Sequence, residues 1–149
     1  MIQRIQSVYL LLASFAGFGQ FGLPYLRTAS GDPSTVLPAL TDQVYNPLDN
    51  IGLLGLSILS ALISLVAIFL YNKRTVQRRV TGGAALCTVL LAILLGLSVY
   101  KLLSTLPAGS DVDYQAGIAL PGVALVLQWL AGRSIKSDEN LVKSMDRLR

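Results

Sequence analysis

Four stretches of the chain, Ile5 to Leu26, Ile51 to Asn72, Val80 to Tyr100 and Tyr114 to Gly132, contain no Asp, Glu, Lys or Arg. Each holds 19 to 22 residues, and about 20 helical residues cross a hydrocarbon core of about 30 Å. In lipid every backbone polar group must be satisfied within the protein, which leaves helices or closed barrels. The runs are continuously apolar, with Leu, Ala and Ile in blocks, and lack the alternation of barrel strands. The expectation is an all-α membrane protein: a four-transmembrane-helix bundle over a single domain, 1–149. Its spans are placed near 5–26, 51–72, 80–104 and 114–133, and a cytoplasmic tail, 134–149, carries a short amphipathic helix. Composition agrees, with 53% hydrophobic and only 13% charged residues, against roughly 25% charged in soluble domains.

The charged residues assign an orientation. Arg4, Lys73, Arg74, Arg78, Arg79, Arg133, Lys136, Lys143, Arg147 and Arg149 fall on one side, ten of the twelve basic residues. Arg27 and Lys101 fall on the other, with Asp32, Asp42, Asp49, Asp111 and Asp113. Lys and Arg next to short spans favour the cytoplasmic face, so both termini are expected there. Tyr and Trp near the span ends suit the headgroup level and agree with that placement. The net charge of +4 is then mostly a topology signal, and no nucleic-acid partner is expected. The N-terminal run also resembles a signal peptide, but its single Arg is a thin basic region and its apolar character continues to Leu26, so an uncleaved span is expected.

Composition also excludes chemistry. The chain has no His and one Cys, Cys87, which removes His-bearing zinc sites, His-ligated haem, thiolate clusters and any internal disulfide. None of the four charge-free runs contains an ionisable Asp, Glu, Lys or Arg, the usual mark of coupled transport or of intramembrane acid–base catalysis. Asp111 and Asp113 are the nearest thing to a carboxylate pair and read as solvent-facing loop charges. No enzymatic activity, cofactor or metal is expected.

The polar residues inside the spans include Gln20, Ser57, Ser60, Ser64, Thr88 and Gln128. Gln20, Ser60, Ser64 and Gln128 are candidate intramembrane polar contacts. Gly17, Gly19 and Gly22 would let a neighbouring helix approach, with Gln20 bonding across to it; the rival reading, a broken helix lining a site, is disfavoured because no second interrupted span mirrors it strongly. Ser57, Ser60, Ala61, Ser64 and Ala67 form a small-residue stripe on span two, and Thr88, Ala92 and Gly96 one on span three. Pro121-Gly122 predicts a kink in span four. Asp49 or Asn50 is placed to N-cap span two. Thr35 to Leu37 and Gln43 to Tyr45 could pair as short strands, and the second external loop, LSTLPAGSDVD, reads as a plain turn.

At the cytoplasmic face, Lys73, Arg74, Arg78 and Arg79 are candidate contacts for anionic lipid. The closing SDENLVKSMDRLR predicts a separate helix N-capped by Ser137, with Leu141, Val142, Met145 and Leu148 on one face. About a dozen residues is marginal for an isolated helix, so this segment needs the headgroup layer or a protein surface to lie against. Its three acids weaken attraction to anionic lipid and favour protein, either this molecule's own cytoplasmic face or a partner. Gln3, Arg4, Gln6, Leu141, Val142, Met145 and Leu148 are therefore candidate partner-contact residues.

The opening MIQRIQSVYLLLA and the closing DENLVKSMDRLR together resemble a family of small four-span integral membrane proteins of Bacteroidota, domain of unknown function 4293. The resemblance covers the whole chain and implies four helices and a Gram-negative inner membrane. It brings no substrate, cofactor or catalytic residue. The function expected is that of an accessory subunit, assembly factor or scaffold whose partners are membrane lipids and another membrane protein or further copies of itself. The rival is a small oligomeric channel-like, uncoupled transport or lipid-binding protein. What separates them is whether the bundle interior is closed or holds a polar cavity around Gln20, Ser60, Ser64 and Gln128.

Overall fold

In the computed structural model, which describes residues 3–28, 42–106 and 111–146, four helices pack in a ring. They are α1 (Gln3–Gly19), α2 (Ile51–Phe69), α3 (Arg74–Thr105) and α4 (Leu120–Asp146). Helix α1 lies between α2 and α4, and α3 closes the ring on the opposite side. The stretches Ile51–Phe69, Arg74–Thr105 and Ala116–Val142 are long and apolar enough to cross a membrane; Ile5–Gly19 is apolar but shorter.

The buried positions of each helix recur at alternating steps of three and four residues. In α4 they include Ala124, Gln128, Ala131, Ile135 and Asp138, and in α3 Gln77, Thr81, Ala84, Thr88, Leu91 and Leu95. This spacing keeps one seam facing a partner along a nearly parallel or antiparallel helix. The outer faces are apolar instead: Phe15, Val66, Phe69, Leu86, Leu97 and Trp129 are all exposed.

Three short strands close the end of the ring where α1 finishes and α2 starts. Leu26–Thr28 (β1) is the centre of an antiparallel sheet, flanked by Val44–Tyr45 (β2) and Val112–Tyr114 (β3). Leu26 lies opposite both Tyr45 and Tyr114. Tyr25 and Leu26 are fully buried in a cluster with Tyr45, Leu53, Leu91 and Leu95.

Several expectations are corrected here. The first span does not continue as helix to Leu26: α1 ends at Gly19, a turn follows, and Leu26 joins the sheet. Pro24 in that segment brings no N–H to a helix, while its carbonyl accepts from Gly117 N at 3.1 Å. Gly117 allows this approach, because a Cβ there would collide with the Leu23 and Pro24 carbonyl oxygens. The second external loop is not a plain turn, since its Val112–Tyr114 segment pairs with β1. Val44–Tyr45 does form a strand, paired with Leu26 and Arg27, whereas Thr35 to Leu37 lie outside the described residues.

Pro121 makes no kink. It falls in the first turn of α4, where a missing N–H leaves no helical bond unmade. Asn50, rather than Asp49, caps α2, accepting from Gly52 N at 2.9 Å. Asp49 completes a capping box on the preceding 3-10 turn, Pro47–Asp49, by accepting from Asn46 N at 2.7 Å. In α3 only Thr88 of the expected stripe is buried; Ala92 and Gly96 face outward. A four-residue step overshoots a 3.6-residue turn, so the stripe winds off the contact face.

No separate tail helix starts at Ser137. Helix α4 runs through it to Asp146, because Ile135 and Asp138 continue the buried seam against α1.

Where α1 crosses α2, a Cβ on Gly17 would meet the Ala61 Cβ at 2.8 Å. Gly17→Val is therefore expected to destabilise the protein by about 1–3 kcal/mol through overpacking, whereas Gly55→Ala, at a site with nothing within 4 Å, should not. Thermal denaturation of both variants in detergent checks the contrast.

Candidate functional site

The four candidate interior residues are all buried, but they do not form one group. Gln20 sits beneath the sheet, where its Oε1 accepts from the Tyr25 hydroxyl at 2.7 Å and from Ser57 Oγ at 3.4 Å. It thereby ties the turn after α1 to α2.

Ser60, Ser64 and Gln128 meet deeper in the bundle. Gln128 Nε2 donates to Ser64 Oγ at 3.0 Å and to Ser60 Oγ at 3.3 Å, linking α4 to α2 across the ring. Ser64 Oγ donates to the Ser60 carbonyl at 2.9 Å, and Thr88 Oγ1 to the Ala84 carbonyl at 3.0 Å. The Ser60 and Thr88 hydroxyls lie 2.5 Å apart. Since Thr88 has one hydroxyl hydrogen, already directed at Ala84, Ser60 is the donor of that pair. Both amide hydrogens and all three hydroxyl hydrogens are thus engaged inside the bundle. The acceptor Gln128 Oε1 and the neighbouring Thr81 Oγ1 are buried without a protein partner.

This belt lies between two apolar clusters, one around Leu53, Leu91 and Leu95 towards the sheet and one around Leu10, Ala67 and Ala131 towards the other end. Its groups are neutral amides and hydroxyls, which hold helices together without a titratable step near neutral pH. Among the described residues no cluster of three His, Cys, Asp or Glu side chains could hold a metal ion.

The second polar region is the basic end, where α1 starts, α3 starts and α4 finishes. Gln6 is buried, and its Nε2 donates to Asp138 Oδ2. Arg74 Nη1 donates to the Asp138 carbonyl at 3.1 Å, so Asp138 joins α1, α3 and α4. Arg78 forms an ion pair of 3.3 Å with Glu139; such a half-exposed pair contributes about 1 kcal/mol or less.

The four cations expected on lipid are therefore not equivalent. Arg74 and Arg78 are engaged by α4, while Lys73 and Arg79 are exposed. Leu141 and Val142 are exposed on the last turns of α4. Gln3, Arg4 and Met145 lie in α1 and α4, but their side chains, like residue Leu148 as a whole, fall outside the described part.

Three residues beside this end were not singled out from the sequence: Trp129, Arg133 and Lys136. The Arg133 guanidinium lies 5.8 Å from the centre of the Trp129 ring, and with Arg78, Thr81 and Gln128 the three line a groove of about 450 Å³ between α3 and α4. A Trp and an Arg four residues apart on one helix are the sequence signal that could have found them.

Two outcomes test these networks. Asp138→Ala leaves Gln6 buried without its partner and is expected to cost about 1–3 kcal/mol, while Gln6→Leu with Asp138→Leu recovers most of that. A double-mutant cycle between Gln128→Leu and Ser64→Ala should give a coupling of about 0.6 kcal/mol, the average for hydrogen bonds between membrane helices. Unfolding in mixed micelles measures both.

No curated protein and no solved structure matches the chain. A family model described as Domain of unknown function (DUF4293) matches residues 2–148. With a match over nearly its whole length, the chain belongs to the DUF4293 family.

Proposed function

We propose that this is a non-enzymatic, four-span protein of the bacterial inner membrane, with both termini cytoplasmic, that serves as an accessory subunit, assembly factor or scaffold of a membrane complex. The observation that carries the reading is the apolar exterior of the bundle: apolar side chains line the outside of all four helices, while Gln, Ser and Thr share the seams with Leu and Ala. Water would penalise so much continuous apolar surface, whereas a bilayer solvates it.

Helix α1 completes the fourth crossing with help from the segment that follows. Its Ile5, Val8, Leu11, Leu12 and Phe15 face outward, and the chain then passes through Gln20 and Tyr25 into the sheet, where the N–H groups of Phe21, Gly22 and Tyr25 and the carbonyls of Pro24 and Tyr25 have protein partners. Non-helical backbone at membrane depth is tolerated when it is covered in this way.

The hydrogen inventory of the belt favours a contact protein over a conduit, since the amide hydrogens of Gln128 and the hydroxyl hydrogens of Ser60, Ser64 and Thr88 are all engaged within or between α2, α3 and α4. The partner surface proposed is the exposed end of α4 at Leu141 and Val142, which continues past the bundle's interior seam.

Orientation is checked in a Cys87→Ser background carrying either Asp113→Cys or Leu141→Cys. A membrane-impermeant maleimide should label position 113 from outside intact cells and leave position 141 unlabelled; the reverse pattern would overturn the topology. Leu141→Asp with Met145→Asp is expected to abolish co-purification of partners from native membranes in mild detergent while leaving insertion unchanged. Recovery of the native chain only as a lone monomer would sink the subunit reading.

A further inference from the structure

The groove between α3 and α4 is open on the outer face of the bundle and changes character along its length. Arg78, Arg133 and Lys136 stand at the basic end; Thr81, Gly82, Ala85, Gln128 and Gly132 floor the rest. On α3 these positions are spaced by three and four residues, so they share one face, and on α4 Trp129, Arg133 and Lys136 do likewise. A Cβ added at Gly82 or Gly132 would meet nothing within 4 Å. The small residues therefore leave a slot, walled by the exposed Trp129 ring.

We propose that this groove binds one anionic phospholipid, with its phosphate held by Arg78, Arg133 and Lys136 and an acyl chain lying over Gly82, Ala85 and Gly132. The assignment rests on the membrane reading above and adds a ligand class to it. Charge complementarity selects the headgroup. Glu139 pairs with Arg78, leaving a net excess of positive charge, and the Trp129 ring holds the Arg133 guanidinium beside the opening. Arg78 keeps further N–H donors beyond the one used on Glu139.

The polar wall supports the same assignment. Thr81 and Gln128 are nearly fully buried, and each has an oxygen without a protein partner where the groove passes from charged to apolar lining. An ester carbonyl of the glycerol backbone can accept from the Thr81 hydroxyl, and an ordered water beside it can donate to the Gln128 oxygen. A free phosphate would leave the apolar slot unused. A second copy of the chain is a poor match, because Asp138 is held by Gln6 and Glu139 by Arg78 at this end.

Trp129 is the only Trp of the chain, so its fluorescence reports on this groove. The full chain is reconstituted in phosphatidylcholine nanodiscs containing either phosphatidylglycerol or phosphatidylcholine with brominated acyl chains, and quenching is measured relative to each sample's unquenched intensity. Half-maximal quenching is expected at about fivefold lower mole fraction of the phosphatidylglycerol, in keeping with a well-placed cation's attraction for an anionic headgroup. Arg133→Gln with Lys136→Gln should abolish the preference, and Gly132→Leu should abolish it with all charges kept. Arg79→Gln, outside the groove, should preserve it, and circular dichroism confirms helicity for each variant.

Equal quenching by the two lipids, or a preference that survives both groove variants, overturns the lipid site while leaving the membrane reading standing. Reversal of the phosphatidylglycerol effect by millimolar inorganic phosphate replaces it with a small-anion site. No quenching by either lipid overturns the groove and the membrane reading together.

Discussion

The amide of Gln128 is the contact on which the packing of the bundle turns. From α4 it reaches across the ring to two hydroxyls of α2, and one of these passes the chain of hydrogen bonds to Thr88 on α3. In water such contacts would add modestly to a core held by apolar burial. Between helices that are apolar outside, hydrophobic attraction gives little preference for one helix over the lipid, so close packing and interhelical hydrogen bonds select the arrangement. Serine and threonine are small enough to let α2 and α3 approach while supplying those bonds. The same economy appears at Gly17, where α1 meets Ala61 closely enough to exclude a side chain, and at Ser14, whose hydroxyl donates to the Ala61 carbonyl at 3.1 Å.

The two ends of the bundle are fixed by different means. At one end the sheet gathers the segment after α1, the approach to α2 and the α3–α4 connection around Tyr25, whose N–H donates to the Tyr45 carbonyl and whose carbonyl accepts from Gln115 N. This gives the irregular backbone partners in a setting where water would be scarce. At the other end Asp138 gathers α1, α3 and α4 through its side chain and its carbonyl. Positive charges surround this second end, and between α3 and α4 they border an apolar slot. That lining, basic at one side and apolar along the rest, is what the proposed lipid site rests on.

Much of the architecture is legible in the sequence because a long, continuously apolar segment satisfies its own backbone most simply as a helix. Charge-free runs of helical length give the helices, and the bias of Lys and Arg gives the two ends. The departures come where tertiary partners override local pattern. Leu26 looks like the end of an apolar helix, yet it completes a sheet through residues distant in the chain, and strands of two or three residues carry no period to read. Ser137 looks like a helix cap, yet α4 passes through it because Asp138 has a buried partner on α1. Ala92 and Gly96 look like contact positions, but the seam of α3 follows steps of three and four and leaves them outside.

Of the candidate site residues, Gln20, Ser60, Ser64 and Gln128 stand out as polar groups within greasy runs, and burial of all four follows from the cost of leaving an amide or hydroxyl unpaired in lipid. The importance of Trp129, Arg133 and Lys136 is not visible locally, because it depends on the glycines and the alanine that α3 and α4 bring alongside them. The sequence by itself determined the helical class, the apolar exterior and the segregation of charge, since these follow from transfer energies that each segment carries alone. Tertiary structure decided which polar residues meet, where α1 stops, and that the basic end contains a groove. Those outcomes depend on distances between residues far apart in the chain, which no single segment's composition specifies.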